Sequence, residues 1–138
     1  MQTFQSLPPR PPVLLIDDSP TVRKIIEVAL RRAGYEVTAY EDPEEALGAL
    51  KRGEIPAPAL AIVDVGLPKL DGYDVIRLLR ASPQFQQLPV IVVSARDGIL
   101  DRIKARLVGA NAYLVKPFKE RDLRALVQQF APIAPQQP

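Results

Sequence analysis

The sequence predicts an α/β domain, a parallel sheet with helices on both faces. Three observations carry this reading. Short apolar runs without polar alternation, such as Val13–Ile16, Ala59–Val63 and Val90–Val93, suit strands covered on both faces. Between the runs lie segments whose apolar residues recur at helical spacing. The runs also end in polar or charged groups: Asp17-Asp18, Asp64, Ser94 and, after Ala112–Val115, Lys116-Pro117. In open α/β sheets the carboxyl edge of the strands is where ligands bind.

Met1–Pro12 is rich in Pro and Gln and reads as a loose tail. The first strand is Val13–Asp17. Ser19-Pro20 supplies an N-cap and a first-turn proline. Val22, Ile25, Ile26, Ala29, Leu30 and Ala33 keep helical spacing until Gly34 stops the helix. The second strand is Tyr35–Tyr40. Asp42-Pro43 restarts a helix with Ala46, Leu47 and Leu50 on its apolar face, ending near Gly53. A loop with Pro56 and Pro58 leads to the strand that ends at Asp64, and Leu67-Pro68 opens the loop beyond it. After Gly66–Gly72 a third helix carries Val75, Ile76, Leu78 and Leu79, and Ser82-Pro83 breaks it. The Val90–Ser94 strand follows Pro89. A fourth helix begins near Gly98 with Ile99, Ile103 and Leu107 on one face, and Gly109 closes it. The Ala112–Val115 strand precedes a last helix with Leu123, Leu126, Val127 and Phe130. Ala131–Pro138 reads as a second tail or a linker. Right-handed crossovers leave few topologies for residues 13–130, and no internal repeat is visible.

At 138 residues the chain is one domain's worth. A net charge of +2 gives no ground for a nucleic-acid or membrane partner. Cysteine is absent, which excludes thiol chemistry and fits a cytoplasmic protein. Histidine is absent too, which removes imidazole catalysis, His metal ligands and any phosphohistidine on this chain. No signal-peptide core or membrane-length apolar run is present.

If the strands are parallel, three carboxylates, a hydroxyl and an ammonium meet at one edge. Asp17-Asp18 could be helix capping, yet Ser19-Pro20 already caps the helix. Adjacent carboxylates near a third repel each other, and a divalent cation relieves the repulsion. Oxygen ligands without His or Cys favour a hard ion such as Mg²⁺. For this pair alone, capping and metal binding both stand open. Ser94 alone reads as a helix cap, and Lys116 alone as a surface or salt-bridged lysine. Together with Asp64 the set has one economical use, the handling of a phosphoryl group. One carboxylate attacks phosphorus, while cations, a hydroxyl and backbone N–H groups neutralise the phosphoryl oxygens.

The ordered set Asp17-Asp18, Asp64, Leu67-Pro68, Asp71-Gly72, Ser94-Ala95 and Lys116-Pro117-Phe118 closely resembles the receiver domain of two-component response regulators, the single-domain chemotaxis and pilus-motility type included. The resemblance runs from about Val13 to Phe130. It implies the flavodoxin-like (βα)5 doubly wound sheet of strand order 2-1-3-4-5. It implies that Asp64 takes phosphate from the phosphohistidine of a sensor histidine kinase or phosphotransfer protein. Asp18, Asp64 and the Gly66 carbonyl would ligate Mg²⁺, and Asp17 would act through water. Lys116 would pair with the phosphoryl group, which the Ser94 hydroxyl and Ala95 N–H would bind. Tyr113 matches the aromatic that turns inward when Ser94 moves, and Lys116-Pro117 matches a cis peptide bond. An output protein would read the face of the fourth helix, fifth strand and fifth helix, with no direct nucleic-acid contact and no membrane. Gly66 offers no side chain over the phosphoryl group, and Arg96 puts a cation near its approach; both bear on how water reaches the phosphate.

An aspartate-nucleophile phosphatase of the haloacid dehalogenase kind also sets Asp after an apolar strand. It needs a second Asp two residues on, where this chain has Gly66. A receiver-like module that is never phosphorylated need not keep every one of these ligands. A dinucleotide-binding fold lacks its Gly-rich turn after the first strand.

Overall fold

The protein is described by a computed structural model, which covers residues 10–66 and 71–133. Leu67-Pro68, expected to open a loop, and the outer parts of both tails lie outside the described residues. Strands β1 (Pro12–Ile16), β2 (Glu36–Tyr40), β3 (Leu60–Val63), β4 (Val90–Ser94) and β5 (Ala112–Val115) alternate with helices α1 (Pro20–Arg32), α2 (Pro43–Lys51), α3 (Gly72–Ala81), α4 (Ile99–Val108) and α5 (Glu120–Phe130). All strand pairings are parallel, in the order β2-β1-β3-β4-β5. The sequence expectation of order 2-1-3-4-5 therefore holds.

The central strands are apolar throughout because both faces are covered. Leu14, Ile16, Ala61, Val63, Val90 and Val92 face one core beneath α2, α3 and α4. Val13, Leu15, Leu60, Ile62, Ile91 and Val93 face the other, beneath α1 and α5. Successive strand residues point to opposite faces, so a run without polar residues fills two cores at once.

Local signals set the helix ends. The Ser19 hydroxyl accepts the Val22 N–H at 3.2 Å ahead of Pro20, and Asp42 accepts the Glu44 N–H at 2.9 Å ahead of Pro43. Asp71 caps α3 through the Tyr73 N–H at 3.0 Å. Pro83–Phe85 forms a 3-10 turn where Ser82-Pro83 breaks α3. At the far end Ala131 is buried, and its carbonyl accepts the Tyr35 hydroxyl at 2.7 Å.

Helix α4 has an unexpected orientation. Its spaced apolar residues do share a face, but that face points to solvent, with Ile99 at 73%, Ile103 at 47% and Leu107 at 80% exposure. The only buried residue of α4 is Ala105. A small side chain there lets α4 sit close over Val90, Val92 and α3. No helix among the described residues is long and apolar enough to cross a membrane.

Candidate functional site

The sheet ladder assembles the site. Asp64 directly follows β3, and its N–H bonds to the Ile16 carbonyl at 2.9 Å, which sets it beside the end of β1. The Asp17 N–H bonds to the Tyr40 carbonyl at 3.1 Å. On the other side the Lys116 N–H bonds to the Ser94 carbonyl at 2.8 Å, extending the β4–β5 pairing by one residue. Residues far apart in sequence thus share one carboxyl edge because parallel register places them there.

Asp17, Asp64 and Ser94 are the buried polar residues of the chain's described part, at 1%, 6% and 2% exposure. Lys116 Nζ bridges the first two, 2.8 Å from Asp17 Oδ2 and 3.3 Å from Asp64 Oδ2. The other Asp64 oxygen, Oδ1, accepts the Gly66 N–H at 2.9 Å. Asp17 Oδ1 accepts the Ser19 N–H at 2.8 Å, so Asp17 shapes the turn while Ser19 caps the helix. Burial pushes the Asp17 carboxyl above the usual carboxylate range, against the opposing pull of Lys116 and of Ser19. Burial alone would lower Lys116, but hydrogen bonding and charge from Asp17 and Asp64 outweigh it and raise its pKa. The ammonium is therefore held charged at a fixed place between two carboxylates.

Asp17, Asp18 and Asp64 each offer an oxygen to one point, these atoms lying within 4.8 Å of one another. Asp17 Oδ2 has no hydrogen-bond donor of good geometry besides its ion-pair contact with Lys116. Three carboxylates converging within reach of one point, with one ammonium to share between two of them, fit a hard divalent cation that prefers oxygen. The arrangement therefore suits Mg²⁺, with Asp18 the most open of the three.

The remaining residues singled out in the sequence fall around this centre. The Ser94 hydroxyl oxygen accepts the Arg96 N–H at 3.1 Å, and Ala95 is exposed. The Lys116-Pro117 peptide is cis. Tyr113, on β5, packs against the core, and its hydroxyl donates to the Arg96 carbonyl at 2.8 Å. Sequence reasoning missed Arg23 altogether and saw Arg102 and Gly72 without the contacts they make. Arg23 of α1 donates to the Asp17 carbonyl at 2.8 Å and steadies the Asp17-Asp18 turn. Arg102 lies 5.3 Å from the centre of the Tyr113 ring. Gly72 packs directly on the Asp64–Val65 backbone. For Arg23 the acceptor is a backbone carbonyl, which leaves no mark in a sequence; the glycine was visible only as part of Asp71-Gly72.

Comparison with known proteins assigns the chain to a family. The response regulator receiver domain family matches residues 13–128. The protein PilG of Pseudomonas aeruginosa is 36% identical over 125 residues, spanning 88% of this chain and 90% of PilG. Other curated relatives include probable transcriptional regulators, of whose length the chain spans under half, 46% for that of Porphyridium aerugineum. Among solved structures, the chemotaxis protein CheY4 of Vibrio cholerae superposes with a TM-score of 0.82 at 28% identity, covering 88% of this chain and 99% of that one. The receiver domain of a sensor histidine kinase from Pseudomonas aeruginosa, solved with magnesium coordinated in its active-site cleft, gives 0.76 at 33% identity, covering 88% of this chain and 98% of that one.

Proposed function

This chain belongs to the response regulator receiver family of two-component signalling, and from that membership we propose that it is a phosphorylatable switch whose acceptor is Asp64. The observation that carries the reading is the half-buried Lys116 ammonium bridging Asp17 and Asp64 at the edge where three carboxylates converge. No capping role explains that arrangement.

In the proposed reaction an Asp64 carboxylate oxygen attacks the phosphorus of a partner's phosphohistidine. The new O–P bond forms as the N–P bond breaks, and the imidazole leaves with a proton. Lys116 is already in reach of Asp64 Oδ2 and offsets charge on the incoming phosphoryl oxygens. Asp17, Asp18, Asp64 and the Gly66 carbonyl would hold Mg²⁺, which when bound supplies further positive charge for the transferring group. The Ser94 hydroxyl and Ala95 N–H would complete the cradle. Water later attacks phosphorus and releases phosphate, restoring the Asp64 carboxylate. The domain acts on its own side chain and turns over no separate substrate.

Arg96 supports a route for the signal. Its N–H is held by the Ser94 hydroxyl and its carbonyl by the Tyr113 hydroxyl. A Ser94 that moves toward a phosphoryl group draws on Arg96, and Tyr113 follows. The surface that changes is that of α4, β5 and α5. A groove of about 460 Å³ lies there between α4 and β5, lined by Arg102, Arg106, Leu107, Asn111 and Tyr113 among others. An output protein that prefers one position of Tyr113 must by linkage also favour one phosphorylation state.

The test is to incubate the chain with acetyl phosphate and Mg²⁺, trap the acyl phosphate with borohydride and map the label. Label is expected on Asp64 alone and absent in Asp64→Asn. Label on Asp17 or Asp18 would overturn the assignment.

A further inference from the structure

Helix α4 is fastened differently at its two ends. At its C-terminal end Gly109, at φ 111°, closes the helix. Arg80 of α3 donates Nε and Nη2 to the Gly109 carbonyl at 3.2 and 2.8 Å, and Nη2 also to Asn111 Oδ1 at 3.1 Å. At its N-terminal end Gly98 makes no side-chain cap bond. Two tyrosine hydroxyls hold that end instead. Tyr113 reaches the Arg96 carbonyl just before the helix, and Tyr73 of α3 reaches the Asp101 carbonyl in its first turn at 3.2 Å.

Tyr73 has no part in the phosphorylation chemistry, yet its setting is specific. It is 1% exposed, and Lys104 Nζ of α4 lies 4.5 Å from its ring centre. Burial, the leading cause, pushes its hydroxyl up to about 12, so it stays a donor at neutral pH. Its chain neighbour Gly72 sits so close to the Asp64 carbonyl and Val65 Cα that a Cβ would not fit. The Tyr73 backbone is thereby registered to the acceptor residue, not to α4.

We infer that Tyr73 is a positioning residue of the switch, its hydroxyl fastening the first turn of α4 to α3 and, through Gly72, to the backbone of Asp64. It works in parallel with the Ser94–Arg96–Tyr113 route and rests on the reading that phosphorylation moves α4. A helix clamped at Gly109 pivots there, so any swing of its first turn strains the Tyr73–Asp101 bond. That bond sets how readily the free end moves.

Tyr73→Phe separates this role from simple core filling, since it keeps the ring, its packing and its contact with Lys104 and removes only the hydroxyl. Amide hydrogen exchange is measured on the full chain, wild type and variant, with and without beryllofluoride plus Mg²⁺ as a phosphoryl mimic. Without the mimic, exchange at Arg102 and Ile103 should rise roughly three- to tenfold in the variant, the range of one neutral hydrogen bond. Exchange at Gly109 and Ala110 should stay at the wild-type rate. With the mimic, backbone shifts at Asp101–Ile103 should exceed those of wild type, while the Ser94 shift is retained. Exchange at Arg102 and Ile103 within twofold of wild type would overturn the inference, as would an equal rise throughout the sheet. A wild type in which the mimic shifts neither Ser94 nor Tyr113 would instead sink the switch reading, and the exchange comparison without mimic would still judge the Tyr73 bond.

Discussion

Replacing Gly72 by alanine adds one methyl group at the point where α3 meets the backbone of Asp64 and Val65. The new Cβ would lie 2.3 Å from the Asp64 carbonyl oxygen, 2.6 Å from Val65 Cα and 2.9 Å from the Asp64 carbonyl carbon. Real contacts essentially never fall below 3.0 Å, so helix or strand must retreat by about 0.7 Å, the difference between 3.0 and 2.3. All three atoms are backbone, so no rotamer change relieves the clash. Overpacking of this kind costs about 3 kcal/mol, the upper end of its usual range. A folded unit of roughly 120 residues unfolds with an entropy of about 0.25 kcal/mol/K, so the melting temperature should fall by about 12 °C. Gly66→Ala is the control, because the nearest described atom is Asp64 Oδ1 at 3.6 Å, an ordinary contact. Thermal melts followed by far-UV circular dichroism in metal-free buffer compare the two. A Gly72→Ala midpoint within about 2 °C of wild type would refute the steric argument. A displaced Asp64 peptide should also slow labelling by acetyl phosphate in the folded variant.

Asp17 should make stability depend on pH in metal-free buffer. Its carboxyl is raised in the folded state, so the native protein binds the proton more tightly than the unfolded chain. The resulting stabilisation is complete below the ordinary carboxylate value and is lost as pH rises through the raised one. Asp17→Asn cannot lose a proton there, so its advantage over wild type should grow from acid toward neutral pH in urea titrations; a constant difference would count against this. Arg80→Ala removes donors from the carbonyls of Phe85, Leu88 and Gly109 as well as from Asn111. Unfolding stability should fall by about 3 kcal/mol, with Arg80→Lys recovering little because one ammonium cannot span these acceptors; a shift below about 1 kcal/mol in the urea midpoint analysis would deny Arg80 its bracing role.

The strands were legible because each central one fills two cores and therefore has no polar residue until it ends. The site was legible for the same reason, since Asp17, Asp64, Ser94 and Lys116 stand where those runs stop. The orientation of α4 was not. The recurrence of Ile99, Ile103 and Leu107 marks a face but not which way it points, and the core side is served by Ala105 and the partly buried Val108 where α3 and the sheet press close. Arg80 and Tyr73 were also invisible as braces. Apart from Asn111 Oδ1, their acceptors are backbone carbonyls, which every residue possesses, so the pairing exists only once the chain is packed. Gly72 could be seen as part of a pattern, but its reason, the approach of the Asp64 carbonyl, is a distance.

The solvent-facing crest of α4 has a consequence for how this protein behaves in a crowded solution. Ile99, Leu100, Ile103 and Leu107 form an uncovered apolar strip, flanked on the same helix by Arg102, Lys104 and Arg106. Two copies meeting crest to crest would bury the strip but bring like charges together. The cations act as colloidal gatekeepers, and their repulsion reaches only about 8–10 Å at ordinary ionic strength. Copies should therefore stay apart in dilute salt and associate more readily in concentrated salt. The handling conditions of the protein are thus written on the same helix that its switch would move.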